Sequence, residues 1–304
     1  MTAGSVSRPG SEVRRRRRRV GILLWLAALL LTLAAAGYQR MTGPSYPERG
    51  SFSVAGSQYE FELVRAATTA EGAEVRLPAA DGLTGRVLHR RYRTDDEFVS
   101  VPLERRVGQL VAALPTQPPA GKLEYFVILD TPNGTRLIPR SGGSVVVRFK
   151  DPVPPHFLVP HIAFMFTAML IGVRAGLGAL FAPARMRRLA WTSLAVITVG
   201  GLVLGPIAQY YAFGAFWTGW PFDSDLTDNK VLLMWLVWVA ACLVIALRPS
   251  RRHERVPRAA VTLAALVMLG VYVIPHSARG TELDYELYES GVPASEALKS
   301  GRDR

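Results

Sequence analysis

Hydrophobic positions along this chain follow two regimes. In one, apolar residues run on for a whole block with scarcely a charge; in the other, they alternate with polar residues. Blocks of the first kind occupy 20–37, 157–173, 189–207, 231–247 and 259–274. Each approaches the roughly 20 residues a helix needs to cross a hydrocarbon core. The last is short, but Arg258 can extend its head group toward water and Tyr272 suits an interface, so it is read as a span. The second regime fills the region between the first two blocks. After a Pro/Gly/Ser-rich linker at 41–50, short alternating stretches occupy 58–65, 74–77, 85–93, 98–103, 108–114, 122–130, 135–138 and 144–150. Period-two alternation broken by frequent turn residues predicts an antiparallel β-sandwich. Asp130-Thr131-Pro132-Asn133-Gly134 reads as a hairpin turn, with Asn-Gly accepting positive φ at both central positions.

The expected fold class is therefore an α+β membrane protein. One N-terminal anchor and a four-helix bundle accompany an extracytoplasmic β-sandwich. The segments are a basic tail at 1–19, the first transmembrane helix at 20–37, the β-sandwich domain at 38–155, the four-helix domain at 156–276 and a tail at 277–304.

Charge changes this picture by supplying a direction. The chain has 304 residues, 49% of them hydrophobic, with 36 Lys+Arg against 24 Asp+Glu and a net charge of +12. A soluble protein this basic would suggest nucleic acid, but the cations are sorted by position. The N-terminal tail, the connection between the second and third blocks with the adjoining Arg174, and the connection between the fourth and fifth hold 16 Arg against Glu12 and Glu254. All three fall on one side if all five blocks span. The rest of the chain carries 20 basic and 22 acidic residues. By the positive-inside rule the N-terminus is cytoplasmic and the C-terminal tail outside. The first block has the charged start and small-residue end of a signal peptide, but its apolar run is long, so an uncleaved signal anchor is expected. Arg outnumbers Lys 32 to 4, a bias that suggests a GC-rich bacterial genome. The 38–155 segment carries 15 basic and 13 acidic residues, so no nucleic-acid footprint is expected there. A lone cysteine, Cys242, excludes a disulfide scaffold.

Candidate chemistry concentrates in the loop between the third and fourth blocks, Tyr210 to Lys230, where six aromatic residues precede Pro221 and are followed by Asp223, Asp225 and Asp228. Aromatic rings collect at membrane interfaces, and Thr227, Asp228 and Asn229 can cap the fourth span. His156 and His161 at the start of the second span and His276 after the fifth share the same expected face. His161 and His276 are the candidate haem or copper ligands, and Asp225 and Asp228 the candidate metal carboxylates. No His-x-x-x-His or Cys-x-x-Cys-His spacing reinforces that site, and Pro160 reads as helix-end punctuation. Arg174 is the one charge inside the spans, close enough to the cytoplasmic end to extend outward, so a transport path lacks its usual buried charges. Gly172-x-x-x-Gly176 and Gly201-x-x-x-Gly205 permit close helix contact, and Gly200-Gly201 with Gly205-Pro206 invite a kink in the third span. The Arg90, Arg91, Arg93 cluster reads as a solvated strand edge. No nucleophile elbow, P-loop or dinucleotide fingerprint is present.

Two resemblances follow from these residues. Leu114 to Asp130 with Asn133-Gly134, including the central Tyr125, resembles the last strands of immunoglobulin-like or fibronectin type III-like modules, which implies fold only. Phe216-Trp217-Thr218-Gly219-x-Pro221 with Asp225-Leu226-Thr227-Asp228-Asn229-Lys230 resembles the outer loop of uncharacterised bacterial polytopic inner-membrane proteins. That likeness implies topology and carries over no catalytic residue. The expectation is a non-enzymatic binding or assembly component of the cell envelope, embedded in the lipid bilayer, with a possible envelope protein partner at the β-sandwich and no nucleic acid. The alternative is a redox or metal protein.

Overall fold

The computed structural model describes residues 9–139, 142–249, 254–275 and 280–300. The chain is α+β. Helix α1 (Pro9–Thr42) precedes a long β region, and α2 (Pro155–Phe181), α3 (Met186–Ile197), α4 (Gly205–Phe213), α5 (Leu226–Leu247), α6 (Arg255–Val273) and the short α7 (Tyr285–Glu289) follow it. A 3-10 turn at Pro183–Arg185 leads into α3, and a π-helical segment, Thr198–Leu204, joins α3 to α4. Among the described residues, five helical stretches are long and apolar enough to cross a membrane. Each is longer than its apolar block, because polar turns extend the helix beyond the hydrophobic run. Pro160 lies inside α2 instead of ending it.

The chain divides into two compact units. One comprises residues 1–40, 156–205 and 229–275. Its core is built from Ala28 and Ala35 of α1, Met169 and Val173 of α2, Met186 and Ile197 of α3, Trp238 and Cys242 of α5, and Val261 and Met268 of α6. The anchor expected to stand apart thus shares the bundle core. Leu24, Ala28, Thr32 and Ala35, spaced by three or four residues, form its buried stripe. The small-residue spacing on α2 works as the pattern predicts. A Cβ on Gly176 would stand 2.4 Å from Ala265 Cβ, and one on Gly172 would stand 2.6 Å from Met268 Sδ. The expected kink takes the form of the π segment, where Gly205 N–H donates to Gly200 O.

The other unit comprises residues 41–155, 206–228 and 276–304. Eleven strands in it form two sheets: β1 (Glu48–Val54), β2 (Ser57–Leu63), β3 (Ala66–Thr68), β4 (Ala73–Pro78), β5 (Thr84–Arg91), β6 (Val99–Pro102), β7 (Glu104–Arg106), β8 (Gln109–Leu114), β9 (Lys122–Thr131), β10 (Gly134–Ile138) and β11 (Val145–Lys150). The first sheet runs β1-β2-β4-β8-β7, and the second runs β3-β11-β9-β5-β6 with β10 also on β9. All pairings are antiparallel except β3 with β11. Alternation does its work most plainly in β9, where Leu123, Tyr125, Val127 and Leu129 are buried between half-buried neighbours. They meet Phe52, Leu63, Val75 and Leu77 of the first sheet in a single core cluster. The β9–β10 hairpin falls where expected, but Gly134 pairs with Thr131, leaving Pro132-Asn133 as the two-residue loop. Proline fixes the first loop residue at negative φ, so only Gly134 takes a positive value, +115°. Strand β1 begins inside the segment read as linker. The Ala55-Gly56 turn, both residues at positive φ, folds it back on β2.

Candidate functional site

The second unit draws in two segments remote in sequence, the 206–228 loop and the C-terminal tail. The tail is not loose: β12 (Thr281–Leu283) and β13 (Leu298–Ser300) pair antiparallel around α7. Leu283 N–H donates to Ala120 O at 3.2 Å, attaching this hairpin to the loop before β9.

At the centre stands Asp225, 4% exposed. Its Oδ1 accepts from the backbone N–H of Thr227 and Asp228 at 2.7 and 3.2 Å. Its Oδ2 accepts from Thr281 N–H and Thr281 Oγ1 at 2.7 and 2.8 Å. One carboxylate therefore caps α5 and holds the first residue of β12. The cap lies upstream of the Thr227 to Asn229 triplet that sequence reasoning nominated, because an N-cap side chain reaches forward to N–H groups two and three residues on. Asp228 turns the other way. Its Oδ2 accepts from Thr218 N–H at 2.7 Å, from Thr218 Oγ1 at 3.2 Å and from Gln209 Nε2 at 3.1 Å. Thr218 and Thr281 share a hydroxyl contact at 2.9 Å, closing the two carboxylates into one network.

Cations frame this network. Arg148 donates from Nη2 to Thr281 O at 2.7 Å, and its guanidinium lies 4.3 Å from the centre of the Phe213 ring, while Nε has no hydrogen-bond partner among the described residues. Burial lowers its pKa, and the charges of Asp225 and Glu282 raise it. An arginine stays protonated through such a contest, so Arg148 is a fixed positive charge facing two acids. Lys122 Nζ meets Glu282 Oε1 at 2.5 Å, and Arg93 Nη1 stands 3.6 Å from Glu282 Oε2. Burial lowers the Lys122 pKa against the pull of Glu282. Arg91 grips Asp96 with two nitrogens at 2.5 and 2.9 Å, pairs with Glu289 and covers the Tyr285 ring at 4.9 Å. Tyr285 OH accepts from Lys122 N–H at 3.0 Å, and burial pushes its phenol up to about 12. The basic cluster read as a solvated edge is instead the receptor for the acidic tail. The signal was present as complementary charge, Arg91 and Arg93 against Glu282 and Glu289, but contacts across nearly 200 positions are invisible to local pattern.

The structure thus brings Asp225 and Asp228 together as acceptors of donors from the chain itself. Among the described residues, no group of three or more His, Cys, Asp or Glu side chains is placed to hold a metal ion. His161 belongs to the helical unit, where its Nδ1 lies 2.9 Å from Gly200 O. A carbonyl only accepts, so Nδ1 carries the proton and Nε2 keeps the lone pair of the neutral ring. His276 lies outside the described residues. His156 is exposed against Phe157, at 4.4 Å between rings. Of the aromatic loop, Phe216, Trp220 and Phe222 are exposed, and Phe216 stacks on Tyr210 at 4.3 Å.

Neither a protein-family model nor a curated protein sequence matches the chain.

Proposed function

We propose that this chain is a multi-pass protein of the bacterial inner membrane that serves as a non-enzymatic binding or assembly component of the cell envelope. It presents an immunoglobulin-like or fibronectin type III-like β-sandwich on the outer side, with the N-terminus in the cytoplasm and α1 as an uncleaved signal anchor. The placement of 16 Arg in the three segments assigned to the cytoplasm supports the orientation. The burial of Ala28 and Ala35 in the bundle core supports retention of α1. One observation carries the functional reading: the buried Asp225 spends both oxygens on four donors from α5 and the tail. A carboxylate saturated in this way is a clamp. It stiffens the β-containing unit and leaves its strand edges for a partner. Strand β7 is such an edge, exposed along its length, with Val107 fully exposed at the turn into β8.

Two measurements test this. A reporter active only in the cytoplasm, fused after Leu287, should be silent; activity there would overturn the five-span orientation. A photo-crosslinking amino acid at Val107 should give a discrete adduct in intact cells. No adduct from Val107, nor from matched probes on β1 and β6, would remove the binding reading. A second reading is a haem or copper protein that uses His161, whose Nδ1 holds Gly200 O so that a metal would take Nε2. It requires a Soret band or stoichiometric copper that His161→Ala and His276→Ala abolish.

A further inference from the structure

Arg174 departs most from its sequence-based expectation. Placed seven residues before the end of α2, it was expected to reach water; instead it is 4% exposed. Its Nε and Nη1 have no hydrogen-bond partner among the described residues. The Trp25 ring of α1 lies 5.5 Å from its guanidinium carbon, and a Cβ on Gly178 would stand 3.0 Å from its Nη1. Arg185, exposed at the start of α3, adds a charge of the same sign. Among the described residues, no carboxylate pairs with Arg174. A guanidinium within an apolar helix bundle calls for an anion, and this one has Nε and Nη1 unpartnered among the described residues.

We propose that Arg174, with Trp25 and Arg185, forms a binding site for a phosphate group between α1 and α2. The planar fork of arginine matches two phosphate oxygens at once, the tryptophan ring packs the guanidinium face, and Arg185 marks the side open to solvent. The exposed run Arg14 to Arg19 on α1 ends six residues before Trp25, about 9 Å along the helix, and would concentrate anions at the same end. The phosphate can come from an anionic phospholipid head group or from free phosphate. The assignment rests on the membrane reading only for the lipid source.

The test uses the full chain. Membranes are first washed with alkaline carbonate: release of the chain defeats the membrane reading itself. Chain that stays is purified in mild detergent, delipidated and returned to vesicles of phosphatidylcholine alone, of phosphatidylcholine with phosphatidylglycerol, or of phosphatidylcholine with millimolar inorganic phosphate. The unfolding midpoint should rise with phosphatidylglycerol if the source is lipid, or with inorganic phosphate if the source is free. Arg174→Gln should cut the affinity read from that rise roughly tenfold or more, with Arg174→Lys in between. Equal midpoints in all three conditions for the wild-type chain would overturn the site, as would Arg174→Gln responding like the wild type. Should Arg174→Gln not fold, Arg185→Gln on the exposed flank replaces it: a weakened response supports the site, and an unchanged one removes it.

Discussion

Replacing Asp225 by Ala is the sharpest test of the clamp. The substitution removes four accepted hydrogen bonds in a place where the side chain is 4% exposed. Losing the cap on α5 costs about 1 kcal/mol. Thr281 N–H is then left buried without an acceptor, at about 1–3 kcal/mol. Thr281 Oγ1 can turn toward Thr218 Oγ1, 2.9 Å away, so its loss is partly recovered. The terms are not additive, and about 3 kcal/mol is the working figure. Thr281 is one attachment of the tail hairpin, beside Leu283 to Ala120 and Glu282 to Lys122, so the effect is local to the strand it opens. Amide exchange of Thr281–Leu283 and Leu298–Ser300 should accelerate roughly 100-fold or more, while the amides of β9 keep their protection. Hydrogen exchange with mass spectrometry on the detergent-solubilised chain measures both. If tail protection changes by less than about threefold, the two contacts to Thr281 do not hold the tail and Asp225 is not a clamp. Asp225→Asn should fall between: the amide oxygen can keep the cap, but its NH2 faces the Thr281 N–H as donor against donor.

Gly176→Ala should lower the unfolding midpoint of the bundle by an overpacking cost of about 1–3 kcal/mol, since its Cβ would stand 2.4 Å from Ala265 Cβ; Ala265→Gly should restore much of the loss, and no rescue would place the clash elsewhere. Tyr125→Phe should cost about 1 kcal/mol in the β-containing unit by removing the 2.8 Å bond from its hydroxyl to Val64 O, read as a shift in the denaturation midpoint. His89 is buried between Val99 and Tyr125 in the register of β5, and burial lowers its pKa, so it folds neutral. The unfolded chain binds the proton more readily. Stability is therefore fully present above the unfolded value of about 6.5 and declines as pH falls through the lower folded value. A His89→Phe variant should flatten that part of the stability-against-pH curve, and an unchanged slope would assign the acid sensitivity to another group.

The elements were largely legible, and for stated reasons. Five apolar blocks became five long helices because block length and composition suffice to demand them. Eight alternating stretches became β2, β4, β5, β6, β8, β9, β10 and β11, since a half-buried strand must alternate. Strands β1, β3, β7, β12 and β13 carry no such signal: four are three residues long, and β1 opens in a Glu-Arg-Gly-Ser run with little apolar content. At the candidate site, Asp225 and Asp228 stand out in the sequence as carboxylates sharing one loop, but their partners do not. Thr281 lies 56 positions from Asp225, and no local pattern marks a threonine as its donor. Arg174 was misplaced for the same reason. Helix length says how far it lies from the end of α2, whereas its burial depends on α1 packing over it.

The sequence by itself determined the five long apolar helices and the eight alternating strands, and how the cations are partitioned among the connections. Those properties follow from the covering of apolar surface and from local backbone geometry, which act within a few residues. Tertiary structure alone decided that α1 joins the bundle core, that the tail folds back beside β9 and β11, and that no acid among the described residues pairs with the buried Arg174. Each of these depends on which distant surfaces meet, and a hydrogen bond or an ion pair carries no trace of its partner in the residues beside it.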